Sequence, residues 1–230
     1  GDRAAGANRC GNPDANNAVL ALSLKHGVVY AGGSFTLMGG QIRNSVAALD
    51  TTLGIASGWN PGTNGSVSAL AVEGNTVYVG GLFSAVGGAL RSNLAAVDAG
   101  TGLVASWDPA ADDQIFDIAP SDGTVYVGGS VALVGGQPRD FIAALDATSG
   151  LASSWNPGAD GTVRAIVNGC DRIYVGGFFA TIGGKSRNRI AAPDPGTGLA
   201  TPWNPNANGP VFAVPPPGRL PESYCLRRCL

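Results

Sequence analysis

The four tryptophans of this chain, Trp59, Trp107, Trp155 and Trp203, stand 48 residues apart, and there are no others. A rare residue held at one spacing marks a copied unit, and units of this length are supersecondary pieces that bury their faces against one another. Glycine pairs keep the same step at Gly32/Gly33, Gly80/Gly81, Gly128/Gly129 and Gly176/Gly177, and again at Gly39/Gly40, Gly87/Gly88, Gly135/Gly136 and Gly183/Gly184. Tyr30, Tyr78, Tyr126 and Tyr174 follow it, as do Arg43, Arg91, Arg139 and Arg187 and the aspartates Asp50, Asp98, Asp146 and Asp194. No insertion or deletion interrupts the series.

Within the second copy, VSALAV (67–72) and TVYVGG (76–81) are β-branched, apolar runs joined through Glu73, Gly74 and Asn75, which reads as a hairpin. NLAAVD (93–98) then leads through AGTG into LVASW (103–107), which predicts two further strands. No window of useful length carries a 3.6-residue apolar period, and 36 glycines would cost a helix about 1 kcal/mol each. The expectation is an all-β chain: a β-propeller built from 48-residue, four-stranded antiparallel blades, with each tryptophan as a wedge between neighbouring sheets.

The repeat frame places four complete blades at about 14–62, 63–110, 111–158 and 159–206, with a fifth copy begun at 207–214. Residues 1–11 read as the worn end of a preceding blade, because Asn12-Pro13 aligns with Asn60-Pro61 while Gly11 falls where tryptophan belongs. Residues 215–230 match nothing in the repeat and are expected to be a degenerate, disordered tail. Both overruns favour an arc of a larger ring over a ring closed at four, and an open arc exposes apolar blade faces that favour self-association.

Charge narrows the functional classes. The net charge is −2, and only Lys25 and Lys185 accompany the arginines, so no basic stripe suits nucleic-acid phosphates. A long uncharged run, Thr51 to Val72, is broken by Gly54, Gly58, Pro61, Gly62 and Gly65, so no membrane insertion is expected there. No signal peptide is visible at the start of the chain.

The unit GGLFSAVGGALRSNLAAVDAGTGLVASWDP, of the form GGxFxxxGGxxRxxxAAxDxxTGxxxxWxP, resembles the bacterial "delta sixty" repeat propellers over roughly residues 12–214. That resemblance implies a secreted or surface-exposed module of a longer protein, without an established catalytic role. The GGxF element is also similar to the propeller of the fungal cortical polarity markers, which are membrane-anchored and non-enzymatic. A weaker likeness, through AxDxxTGxxxW, is to the tryptophan-docking blades of quinoprotein dehydrogenases and their non-catalytic relatives. The spacing from Asp98 to Trp107 is one residue longer here, and the GGxFxxxGG segment is foreign to that pattern. Copies differ too: the phenylalanine of GGxF is Phe35, Phe83 and Phe179, but Val131 in the third copy.

A residue present in every blade is explained most simply by the fold, whereas a site needs residues that break the pattern. The repeated aspartates therefore read as caps of their own turns, and the repeated arginines as partners of those aspartates or of strand carbonyls. Asn16, Asn64, Asp112, Asp160 and Asn208 recur in the loops after each Trp-x-Pro. One such oxygen per blade is too few for Ca²⁺, so they read as turn caps, with calcium the minor alternative. Asp112, Asp113 and Asp117 form the densest acidic cluster and read as a solvated loop. His26 and Cys170 share a repeat position in different blades and do not suggest a metal pair. Gly184-Lys185-Ser186 is not a phosphate loop, because Phe179 stands where the earlier glycine is required. Cys10, Cys170, Cys225 and Cys229 show no CxxC spacing, and Asn64-Gly65-Ser66 is a sequon that also reads as a turn.

The leading expectation is a non-enzymatic propeller scaffold, secreted or at the cell surface, that binds protein or glycan and needs no cofactor. A quinoprotein-like propeller is the second reading, and it predicts acidic and amide groups converging on the channel from unlike blades. A carbohydrate-binding propeller is the third, and it predicts repeated exposed aromatics.

Overall fold

Each copy opens on an apolar run whose alternate side chains reach opposite faces, and it pairs with the next run through a short connection, of two residues in the first three copies and four in the last. These hairpins are β1 (Val19–Lys25) with β2 (Val28–Gly33), β6 (Ser66–Glu73) with β7 (Thr76–Leu82), β11 (Ile115–Ser121) with β12 (Thr124–Gly129), and β16 (Val163–Asn168) with β17 (Ile173–Gly177). The computed structural model describes residues 13–169 and 172–214, and no helix occurs among them. The segments 1–11 and 215–230 and all four cysteines lie outside the described residues.

A third strand completes each sheet on the far side of the hairpin: β5 (Val46–Asp50), β10 (Leu94–Asp98), β15 (Ile142–Asp146) and β20 (Ile190–Ala191). The fourth strand expected at 103–107 is reduced to one bridge, Val97 to Val104, and the other copies match it at Leu49 to Ala56, Leu145 to Ala152 and Pro193 to Ala200. Asp98 N to Leu103 O (2.9 Å) and Ala105 N to Ala96 O (2.8 Å) are the backbone bonds that hold this edge. The ladder stops there because the Ala105 carbonyl accepts instead from the Arg91 guanidinium at 2.7 Å, and the chain turns to drive Trp107 into the gap between sheets.

The GGxFxxxGG segment forms a small hairpin that the residue pattern did not suggest. Its two-residue strands are β3 (Leu37–Met38) with β4 (Gln41–Ile42), β8 (Ala85–Val86) with β9 (Ala89–Leu90), β13 (Leu133–Val134) with β14 (Gln137–Pro138), and β18 (Thr181–Ile182) with β19 (Lys185–Ser186). Both turn residues have positive φ, 56° and 79° at Gly87 and Gly88, which is the backbone that two-residue hairpins favour and glycine adopts without strain.

The core lies between sheets. Val46, Ala48 and Trp59 pack against Val67, Val77 and Val97 of the next copy, and equivalent clusters join the second to the third and the third to the fourth. The first glycine of each GG pair sets how close two sheets come. A Cβ on Gly32 would lie 2.5 Å from Val67 Cγ1, on Gly80 2.7 Å from Ile115 Cγ2, on Gly128 2.5 Å from Val163 Cγ1, and on Gly176 2.7 Å from Val211 Cγ1. Val211 thus stands where a fifth inner strand belongs, with its N–H donated to Gly177 O at 3.3 Å. The opposite end differs. Leu22 and Leu24 of β1 are 67% and 69% exposed, whereas Ile118 and Ile166, at the position of Leu22, are buried against the preceding sheet.

Candidate functional site

The repeated polar residues serve the architecture. Trp59 donates its indole N–H to the carbonyl of Asp98 in the following copy at 2.9 Å, Trp107 to Asp146 at 3.0 Å, and Trp155 to Asp194 at 2.9 Å. All three rings are buried and meet Tyr30, Tyr78 and Tyr126 edge-on. Trp203 contacts Tyr174 in the same way, but its N–H has no acceptor among the described residues and the ring is half-buried. The repeated aromatics exposed for sugar stacking, on which the carbohydrate reading depended, are therefore not supplied by these tryptophans.

Of the two partners expected for the repeated arginines, the structure places the carbonyls. Arg43 donates to Ile42 O and Ser57 O, Arg91 to Leu90 O and Ala105 O, Arg139 to Pro138 O and Ser153 O, and Arg187 to Ser186 O and Thr201 O. Asp98 Oδ1 accepts from Thr101 N and Thr101 Oγ1, both at 2.7 Å, and from Gly100 N at 3.0 Å. The Thr101 hydroxyl and then the backbone N–H groups hold its carboxyl below the ordinary range, and Asp146 and Asp194 are lowered by the same turn. Asp50 accepts from Thr52 N and Leu53 N.

The Asx residues after Trp-x-Pro cap at long range rather than within their own turns. Asn64 Oδ1 accepts from Ser84 N and Ala85 N at 2.9 Å each, 20 and 21 residues on, fastening the small hairpin. Asn16, Asp112 and Asp160 make corresponding bonds to Thr36, Ala132 and Ala180, whereas Asn208 has no such hairpin after it among the described residues. Asn64 Nδ2 is itself bonded to Ser84 Oγ, a contact that a glycan on this sequon would displace. Among the described residues, no three His, Cys, Asp or Glu side chains are grouped to hold a metal ion.

What does not repeat converges elsewhere. In each inner strand the register slips by one residue: between Val19 and Ala21, Val67 and Ala69, Ile115 and Asp117, and Val163 and Ala165. A β-bulge re-aims the extra side chain, here Leu20, Ser68, Phe116 and Arg164. These four, with Phe212 at the same place in the fifth copy and Gln114, line a cavity of about 240 Å³ along the axis that the inner strands surround. Gln114 Nε2 donates to Ser68 Oγ at 2.8 Å across two copies. The Arg164 guanidinium lies 3.6 Å from the centroid of the Phe116 ring and 5.5 Å from that of Phe178, and Phe178 in turn meets Phe212 edge-on at 5.4 Å.

Beside this bulge sits Asp117, where the other copies carry Ala21, Ala69, Ala165 and Ala213. It is not part of a solvated loop with Asp112 and Asp113, as the sequence suggested, but a largely buried member of β11. Its Oδ1 accepts from Ile118 N at 2.9 Å and its Oδ2 from Ile166 N of the next copy at 2.7 Å. Burial pushes its pKa up to about 6 against the lowering effect of those two N–H donors. Asp117 borders a second axial cavity of about 300 Å³ together with Arg164 and Phe212–Val214. His26, the other pattern breaker described, occupies the β1–β2 turn at φ 47°.

Comparison with solved structures matches this arrangement of sheets. The chain is similar to the computationally designed Ika8 protein (TM-score 0.54, 15% identity, 88% of this chain and 65% of that one). It is similar to the extracellular domain of BT4673 from B. thetaiotaomicron (TM-score 0.54, 13% identity, 81% and 22%) and to the Pan2 WD40 domain of Neurospora crassa (TM-score 0.52, 13% identity, 80% and 50%). The chain is a β-propeller. Its sheets are the blades, β1, β6, β11 and β16 are the strands around the channel, and the bulge residues are the channel lining. At such identities the likeness is one of fold, and the chain spans less than two thirds of each of these three structures. No protein-family model matches the sequence, and no curated protein does. No helix among the described residues is long and apolar enough to cross a membrane.

Proposed function

We propose that this propeller is a non-enzymatic scaffold of the delta sixty kind, secreted or held at the cell surface, that binds a macromolecular partner through its variable loops. One observation carries the reading. The repeated polar side chains of the first three blades, such as Trp107, Arg91, Asp98 and Asn64, are engaged in bonds within the fold, so these blades form an inert frame. The extracellular domain among the similar structures favours an exposed location. The partner is a protein or glycan, because fold alone selects neither.

The test presents the immobilised chain to glycan panels and to the secreted proteins of its host, with a loop variant, Asp113→Ala, as control. Saturable binding weakened by the loop variant and unaffected by Arg164→Gln supports the scaffold reading. Turnover of any small molecule that disappears with Arg164→Gln overturns it.

A further inference from the structure

The lining of the channel departs from the rest of the molecule in a way the scaffold reading does not use. One repeat position, occupied by Leu20, Ser68, Phe116, Arg164 and Phe212, carries hydrophobic, hydroxyl, aromatic and cationic side chains in turn, and the bulge in each inner strand delivers them to one cavity. Arg164 stands apart from the repeated arginines. Their terminal nitrogens donate to carbonyls, whereas Arg164 makes no hydrogen bond to a described residue and no described carboxylate lies within ion-pair distance of it; a buried Nε without a partner is common to all five. Phe116 covers one face of the guanidinium, and its terminal N–H groups, which make no bond to a described residue, stay accessible at the other edge.

An in-plane pair of N–H donors fits a carboxylate, which accepts two parallel hydrogen bonds in that geometry. The Phe178–Phe212 pair and Leu20 offer apolar surface next to it, and Ser68 with Gln114 a polar group on the wall. We propose that the axial channel is a binding site for a small amphipathic carboxylate, with its charge on Arg164 and its apolar body among Leu20, Phe116 and Phe212. The size follows from the cavity: about 240 Å³ has room for roughly eight waters at ~30 Å³ each, which suits a single-ring or short-chain acid.

The test uses 4-fluorophenylacetate as probe, followed by fluorine NMR and calorimetry on the full chain. Saturable binding is expected, with the neutral 4-fluorophenylacetamide weaker by about tenfold or more, as loss of a charge-assisted hydrogen bond requires. Arg164→Gln lowers affinity for the acid by about tenfold or more and makes acid and amide bind alike. Ser68→Phe fills the channel and abolishes binding of both. This second variant keeps the fold, because two other copies already carry phenylalanine at this position, Phe116 and Phe212. Should Arg164→Gln fail to fold, Ser68→Phe and the acid–amide ratio decide. The proposal is overturned by absence of saturation below about 1 mM, by equal binding of acid and amide, or by binding that survives Ser68→Phe. Those results leave the scaffold reading standing, since its partner is read out with Arg164 already replaced.

Discussion

Replacing Trp107 by phenylalanine tests whether the blades are joined by the indole N–H as well as by apolar contact. The ring is 4% exposed, packs edge-on against Tyr78, and donates to Asp146 O at 3.0 Å across the boundary between the second and third blades. Phenylalanine keeps a ring in the gap but loses that hydrogen bond, about 0.5–1.5 kcal/mol because the Asp146 carbonyl still accepts from Gly150 N at 2.9 Å, and the void left by the smaller ring adds on the order of 1 kcal/mol. The sum is about 1.5–2.5 kcal/mol. For a chain of this size that corresponds to a fall in melting temperature on the order of 3–10 °C in differential scanning calorimetry. Trp203→Phe is the internal control: the same substitution, at a ring that is half-buried and whose N–H has no acceptor among the described residues, lowers stability by less than about 1 kcal/mol. Equal shifts for the two variants would refute the reasoning, because the hydrogen bond across the boundary would then contribute nothing.

Three further outcomes are expected. Asp117 has a pKa raised by burial to about 6, so its contribution is complete below pH ~4 and is lost as pH rises to ~6, about 2–3 kcal/mol in all; Asp117→Ala, which restores the residue of the other copies, removes that slope from a melting-temperature profile. The lowered turn aspartates Asp98, Asp146 and Asp194 act in the opposite sense, losing stability as pH falls below ~4, so the thermal maximum lies in the mildly acidic range and moves to higher pH in Asp117→Ala. Gly81→Ala places a Cβ 2.1 Å from the Ser66 carbonyl oxygen and costs about 3 kcal/mol or more, whereas Gly88→Ala meets no atom within 4 Å and costs only its left-handed backbone, about 1–2 kcal/mol, both measured by urea denaturation. If the bare inner face of the first blade drives self-association, Leu22→Ser/Leu24→Ser shifts light scattering toward monomer at unchanged melting temperature; a larger species that persists in this variant assigns the contact elsewhere.

The period, the β class and the first three strands of each blade were legible because their determinants are local or rare: tryptophan at 48-residue steps, β-branched runs, and glycine where sheets approach. The fourth edge was overread. Leu103–Trp107 has the composition of a strand, yet Arg91 takes the Ala105 carbonyl from across the blade, and no local pattern reports a bond between residues 14 apart. The long-range capping by Asn64 escaped for the same reason. Asp117 was misplaced because sequence proximity to Asp112 and Asp113 conceals the change from loop to bulged strand. The channel lining did leave a trace: laid out at the 48-residue step, Leu20, Ser68, Phe116, Arg164 and Phe212 form a variable column beside a column of alanines broken once by Asp117. What hid it was the bulge, which turns toward the axis a side chain that regular alternation would assign to a sheet face.

The indole bond joins each of the first three blades only to its successor, 39 residues ahead, and the glycine gap does likewise, so these three boundaries are one joint made again. A segment of one full period can therefore be duplicated or excised anywhere in the series, and the two cut surfaces still mate. The number of blades then becomes a matter of copying history rather than of chemistry, whereas a change on one side of a joint, such as a larger residue at Gly128, demands an answering change at Val163 in the neighbour. In such a chain, divergence comes cheaply where units do not touch one another, and the side chains turned toward the axis are the ones left free to differ.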